Sequence, residues 1–218
     1  MLTTITIIAA LVIPANAEKP VKQQLLVDQA RITFESFMID QNMAWFRDHM
    51  HKAKGFLIIP ELLQGAFFVG GSGGRGVLVV KDQATGDWSQ PVFYTLGSGS
   101  LGIQFGLEKS EIIMAVFTQK GLDRLYSTSF KFGGDVSIAA GPVGAGAKAD
   151  VMADFISFVR TKGAFAGVSM EGAVVKANDD WNELYYGKKV SPLGIVKHKL
   201  VSNPGSAKLL DTIRDALK

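Results

Sequence analysis

The chain has 218 residues, 47% of them hydrophobic and 20% charged, enough apolar material for one well-formed core and too much for intrinsic disorder. Its net charge of +3 is compatible with an anionic partner but far from the dense lysine and arginine of a nucleic-acid binder, so no nucleic-acid partner is expected. There is no cysteine, which excludes disulfides, a thiol nucleophile, a thiolate metal site and a lipid-modified cysteine anchor.

In chain order, residues 1–17 are uncharged, run apolar from Ile5 to Ile13 and end in Ala15-Asn16-Ala17, the small-residue pattern of a signal-peptide cleavage site. Cleavage after Ala17 is expected, and with it a periplasmic or secreted protein, peripheral on a membrane if attached to one. The apolar run stops at Pro14, short of the roughly 20 residues that span a bilayer. Only the terminal amine supplies positive charge ahead of the run, which a start codon assigned too far downstream would explain. Residues 18–218 contain no linker-like or low-complexity stretch and are expected to form a single domain.

Between Val21 and Ala53, Leu26, Ala30, Phe34, Phe37 and Met38 recur at three- and four-residue spacing, which predicts helix with a break near Asp40 to Asn42. From Phe56 the character changes to short β-branched or aromatic runs: Phe56–Ile59, Ala66–Val69, Val77–Val80, Val92–Leu96, Ile112–Thr118, Val136–Ala140, Phe155–Arg160 and Ala164–Val168. Seventeen of the 24 glycines fall between Gly65 and Gly146 among these strands, so the sheet must bend, and a curled, mainly antiparallel sheet or small barrel is expected. Asn178 is a predicted N-cap with Asp179 and Asp180 behind it and Gly187 as the stop; Pro204 opens a last helix with Leu209, Leu210, Ile213 and Leu217 on one stripe. The fold class is therefore α+β: N-terminal helices, a glycine-rich curled sheet, and a C-terminal helix.

Several motifs resemble chemistry. Gly71–Gly76 and Gly97–Gly102 both fit G-x-G-x-x-G, but each is followed by strand-like residues where dinucleotide binding needs a helix N-terminus. Ser72 lies in a G-x-S-x-G run, and Ser72, Asp179 and His198 fall in hydrolase order, yet the next element is again a strand rather than the helix that a nucleophile elbow requires. A hairpin tip is the simpler reading of Gly70–Gly74. His49 and His51 are two apart and point to different faces of a helix. No catalytic residues, metal site or cofactor are assigned, and the protein is expected not to be an enzyme.

Five ordered segments, Lys52–Pro60, Gly71–Val80, Trp88–Pro91, Gly133–Gly144 and Lys162–Gly172, resemble the successive signatures of the SYLF domain, also called the Ysc84 family, over about residues 42–195. The resemblance implies lipid binding without catalysis. Eukaryotic members bind phosphoinositides, partly through a basic amphipathic segment at the domain's start, the founding yeast member binds actin, and bacterial relatives are exported or envelope-associated phospholipid binders. An exported address removes actin and phosphoinositides as natural partners and leaves an anionic phospholipid or membrane surface. The alternative is a periplasmic structural or protein-interaction domain.

The opening helices carry nearly balanced charge and do not form a strongly basic face. The expected membrane contact is instead C-terminal: Lys188, Lys189, Lys197, Lys199 and Lys208 occur between Glu183 and Asp211 with no intervening acid, next to Tyr185 and Tyr186, whose rings suit the headgroup level. A solvated lysine face is the plainer reading of the same run. Arg75 is the further candidate. Gly163, Gly167 and Gly172 are expected to allow close backbone approach around Phe165, with Ser169 and Glu171 as structural strand residues.

Overall fold

The computed structural model describes residues 21–66, 70–100, 106–144, 152–161, 164–166 and 170–218. The expected leader at 1–17, and Gly163, Gly167 and Ser169, lie outside the described residues.

Helix α1 (Val21–Ile39) buries Leu26, Val27, Ala30, Phe34 and Phe37 along one stripe. It stops where expected: Asp40 turns extended, and its carboxylate accepts the Asn42 N–H at 2.9 Å to start a short 3₁₀ turn leading into α2 (Ala44–His49). Phe34 and Phe46 meet Phe56 in the sheet below, Phe34 edge-to-face at 5.2 Å, the geometry that ring quadrupoles favour.

Among the described residues the sheet has nine strands: β1 (Gly55–Ala66), β2 (Gly70–Val80), β3 (Val92–Ser100), β4 (Gly106–Val116), β5 (Ser129–Lys131), β6 (Ile138–Ala140), β7 (Phe155–Thr161), β8 (Ala164–Ala166) and β9 (Val174–Ala177). Their order is β5-β9-β3-β2-β1-β4-β7-β6, with β8 also on β7, and every pairing is antiparallel except β6 with β7. The sheet curls into a half-barrel. Strand alternation sends Phe56, Ile58, Val77, Val79 and Phe93 to one face and Leu57, Leu78, Val80, Val92 and Tyr94 to the other, and both sets are buried. The first face is covered by α1, α2 and the C-terminal helices α4 (Asp179–Tyr186) and α6 (Ala207–Ala216). The second is covered by α3 (Gln119–Leu125), α5 (Pro192–Val196) and the segments around β5 and β9.

The glycine run at Gly70–Gly74 lies inside a strand. It is not a hairpin tip: these residues run through β2, paired on one side with β1 and on the other with β3, and none has positive φ. A bulge in β1 between Ile58 and Glu61 brings its backbone over β2, so a Cβ on Gly74 would lie 2.5 Å from the Glu61 carbonyl oxygen and one on Gly76 2.4 Å from that of Ile58. Glycine there serves close approach, not a turn.

Boundaries moved elsewhere. The run expected to be strand through Thr118 ends at Val116, because the Thr118 hydroxyl accepts the Gly121 N–H and caps α3. At the C-terminus the expected signals operate: Asn178 accepts the Trp181 N–H, Gly187 closes α4 at φ 71°, and α6 buries Leu209, Leu210 and Ile213. Among the described residues no helix is long and apolar enough to cross a membrane.

Candidate functional site

A cleft of about 370 Å³ opens on the second face of the sheet, between the turn after β2 and the chain leaving α5. Asp82 builds the turn: its Oδ1 accepts the N–H groups of Ala84 and Thr85 at 3.0 and 3.4 Å, and Gly86 closes it at φ 77°. The other carboxylate oxygen accepts Lys199 Nζ at 2.8 Å. That bond, followed by those from Ala84 and Thr85, holds the Asp82 carboxyl down at about 2 and raises Lys199 above its ordinary range. Lys199 is also the one non-glycine residue with positive φ among those described, at 49°. The chain turns there so that the lysine reaches back across 117 positions to Asp82.

Lys197, two residues earlier, places Nζ 5.4 Å from the centre of the Tyr126 ring, a cation–π contact. Burial, with a smaller push from Asp123, raises the Tyr126 phenol to about 12. Leu122, Val196 and Trp88 supply the apolar lining, and Lys81 adds a third ammonium at the rim. The acids Asp82 and Asp87 lie on the same rim, Asp82 already engaged by Lys199. The arrangement can hold an anion beside a small apolar surface.

Of the residues expected from sequence, the cleft therefore gathers Lys197 and Lys199. Lys188 and Lys189 follow the α4 stop, exposed, with no ion pair among the described residues. Tyr185 and Tyr186 do not stand at the surface as expected. Tyr185 is 3% exposed and meets Phe93 edge-to-face at 5.0 Å, and the Tyr186 hydroxyl donates to the Pro91 carbonyl at 2.5 Å. Burial drives both phenols well above their usual range. The reason is that α4 is only two turns long and lies on β3, so its consecutive aromatics both become packing. Arg75 is separate again: it lies on the first face, its guanidinium 4.8 Å over the Trp181 ring of α4. Lys208 is exposed on α6.

The residues in hydrolase order do not form a triad-like turn. Ser72 is in the strand interior, its hydroxyl bonded to that of Ser98 at 2.8 Å. His49 is engaged by its own helix through the Trp45 carbonyl and a stacked ring. Among the described residues no group of three or more His, Asp or Glu is placed to hold a metal. Sequence reasoning missed Lys81, Asp82 and Tyr126. The Asp82–Gly86 turn signal was visible, but its partner across 117 positions was not.

A second structural centre was also missed. Asp154, on the approach to β7, accepts bonds from the Thr118 hydroxyl at 2.5 Å and the Ser137 N–H and hydroxyl, both at 2.9 Å, with Lys120 Nζ at 3.3 Å. Burial pushes its carboxyl up, but these bonds outweigh it and hold it at about 2. Every oxygen is spent on tying α3 to β6 and β7, so the carboxylate is structural.

A family model described as Ysc84, Las17-binding protein actin regulator, matches residues 97–216. An SH3 domain-containing protein of Schizosaccharomyces pombe is 32% identical over 162 residues, covering 71% of this chain and 37% of that protein. LAS seventeen-binding protein 3 of Saccharomyces cerevisiae is 29% identical over 164 residues, 72% of this chain and 35% of the relative. The SH3 domain-containing YSC84-like protein 1 of Homo sapiens is 25% identical over 150 residues, 66% and 43% respectively. The chain thus spans well under half the length of these curated relatives.

Proposed function

The chain belongs to the Ysc84 family, and from that premise we propose that it is a non-catalytic module that binds anionic phospholipid surfaces. One observation supports this most: Lys188, Lys189 and Lys197 are exposed, without ion pairs among the described residues, on the ten-residue segment that enters the apolar-lined cleft. Lysines near an anionic membrane each contribute about 1 kcal/mol, and the small apolar lining receives what lies beneath the headgroups. The leader-like residues 1–17 extend the proposal to an exported, envelope-associated protein, checked by the mass of the mature chain in a periplasmic or secreted fraction.

The test is the triple substitution Lys188→Gln, Lys189→Gln and Lys197→Gln. Lys199 is left alone because it holds the Asp82 turn. Affinity for phosphatidylglycerol or cardiolipin vesicles should fall about a hundredfold, with a shallower salt dependence and an unchanged melting temperature. Unaltered affinity in that variant sinks the lysine assignment.

A second reading has its own support. On α1, Val21, Leu25, Ile32 and Ile39 are 53–77% exposed at four- and seven-residue spacing, an apolar stripe that suits a protein partner. The name of one relative, LAS seventeen-binding protein, is consistent with protein recognition within the family. Co-sedimentation with liposomes at physiological salt separates the readings: a chain left in the supernatant by anionic vesicles favours the protein-binding one.

A further inference from the structure

Beyond the helices, the first face of the sheet carries a bare strip. β-pairing places Gly71 opposite Gly99 and Gly73 opposite Gly97, so two successive cross-strand pairs on this face have no side chains. Glycine weakens a strand unless something must come close. Gly74 and Gly76 meet that condition within the chain, but Gly73 and Gly97 do not: a Cβ on either would find no atom nearer than 4.0 and 3.8 Å. Among the described residues, only backbone oxygen of the paired strand comes within 4 Å of a Cβ at either position.

The registers define what surrounds the strip. Val174 of β9 lies beside Gly97 and Leu63 of β1 beside Gly73, each 43% exposed, so the glycine floor has an apolar wall on either side. One pair along, the row reads Lys176, Thr95, Arg75 across β9, β3 and β2. Arg75 and Lys176 are thus about 10 Å apart, two strand spacings. Both are exposed, and neither makes an ion pair or side-chain hydrogen bond to a described residue. A cleft of about 430 Å³ adjoins the Gly97–Val174 end, and Asp179 and Asp180 of α4 line it together with Lys176.

We infer that this trough holds one phospholipid molecule, an acyl chain lying on the Gly73–Gly97 floor between Val174 and Leu63, its phosphate between Arg75 and Lys176. The floor suits a chain because its peptide groups are already hydrogen-bonded in the ladder and no side chain of Gly73 or Gly97 stands above them. Charge decides the head. Two cations beside two carboxylates match a zwitterion, so the ammonium of a phosphoethanolamine head faces Asp179 and Asp180, where a purely anionic head meets their repulsion. The inference rests on the lipid reading but assigns a different surface and a different headgroup from the lysine segment.

The test is calorimetric titration of dihexanoyl-phosphatidylethanolamine, below its micelle concentration, into the wild-type chain and into the Gly73→Val, Gly97→Val double variant. Among the described residues both new Cβ atoms meet only ordinary contacts, at 4.0 and 3.8 Å, and valine favours strand, so the melting temperature should hold or rise while affinity falls at least tenfold. Arg75→Gln with Lys176→Gln should lose a similar factor, and dihexanoyl-phosphatidylglycerol should bind at least tenfold more weakly than the ethanolamine lipid. Equal affinity of the stable glycine variant overturns the trough, as does a wild type that sediments with vesicles but binds no short-chain lipid. Equal affinity for the two lipids overturns the headgroup assignment. A wild type that binds neither vesicles nor short-chain lipid overturns the membrane reading itself, and the trough with it.

Discussion

A Cβ placed on Gly76 would lie 2.4 Å from the Ile58 carbonyl oxygen and 2.6 Å from the Ile59 side chain, contacts that a rigid, paired strand cannot relax. Gly76→Ala should therefore cost about 3 kcal/mol, the upper range for overpacking, measured by urea denaturation. Gly73→Ala, three residues away on the same strand, should be neutral or stabilise by up to about 1 kcal/mol. Equal losses at the two positions would refute the distinction between glycines that the fold requires and glycines that it does not. In the sequence the two are indistinguishable, because both sit in Gly71–Gly76 and the difference arises from the β1 bulge over one and not the other. The same limit explains Tyr185 and Tyr186. Their pairing with lysines suggested an interfacial belt, but whether a ring faces solvent depends on how α4 is seated on β3, which local spacing does not specify.

At the level of elements, what was legible is what is local. The α1 stripe, the break at Asp40, the Asn178 cap, the Gly187 stop and the α6 stripe are each set by residues within a few positions of one another. Long-range ties were not legible. Asp154 shows this: its partners Thr118, Lys120 and Ser137 come from α3 and the approach to β6, so nothing adjacent in sequence marks it. Its carboxyl is held at about 2, below the ordinary 3.8, so the folded state favours the ionised form. The resulting stability is fully present above about pH 4 and is lost as pH falls through 4 toward 2. Asp154→Asn should remove that pH dependence and cost about 2 kcal/mol at neutral pH, because an amide nitrogen would face donors where a carboxylate now accepts. Melting curves of the variant and wild type from pH 7 to pH 2.5 should converge. Parallel curves over that range would show that Asp154 does not carry the acid sensitivity.

For the whole molecule, each face of the sheet carries a buried core, and the core of the first face is covered by helices from both the N-terminal and the C-terminal part of the chain. α1 and α6 pack together over the first face, and Gln24 of α1 donates to the Gly205 carbonyl just before α6, at 2.9 Å. Such an arrangement links the N-terminal helix, the sheet and the last helix through shared contacts, so the three should unfold together rather than in steps. Removing residues from Pro204 onward tests this. The deletion takes Leu209, Leu210 and Ile213 out of the core and uncovers the side of α1 they packed against. On apolar area alone the loss is about 5 kcal/mol, a large part of the stability of a chain this size. The truncated chain should melt far below the full-length one, in a single transition, with the near-ultraviolet signal of the first-face aromatics falling together with the sheet signal. An unchanged melting temperature would show that the C-terminal helix is an appendage. Two separated transitions in the full-length chain would show that the helical cover and the sheet are independent units.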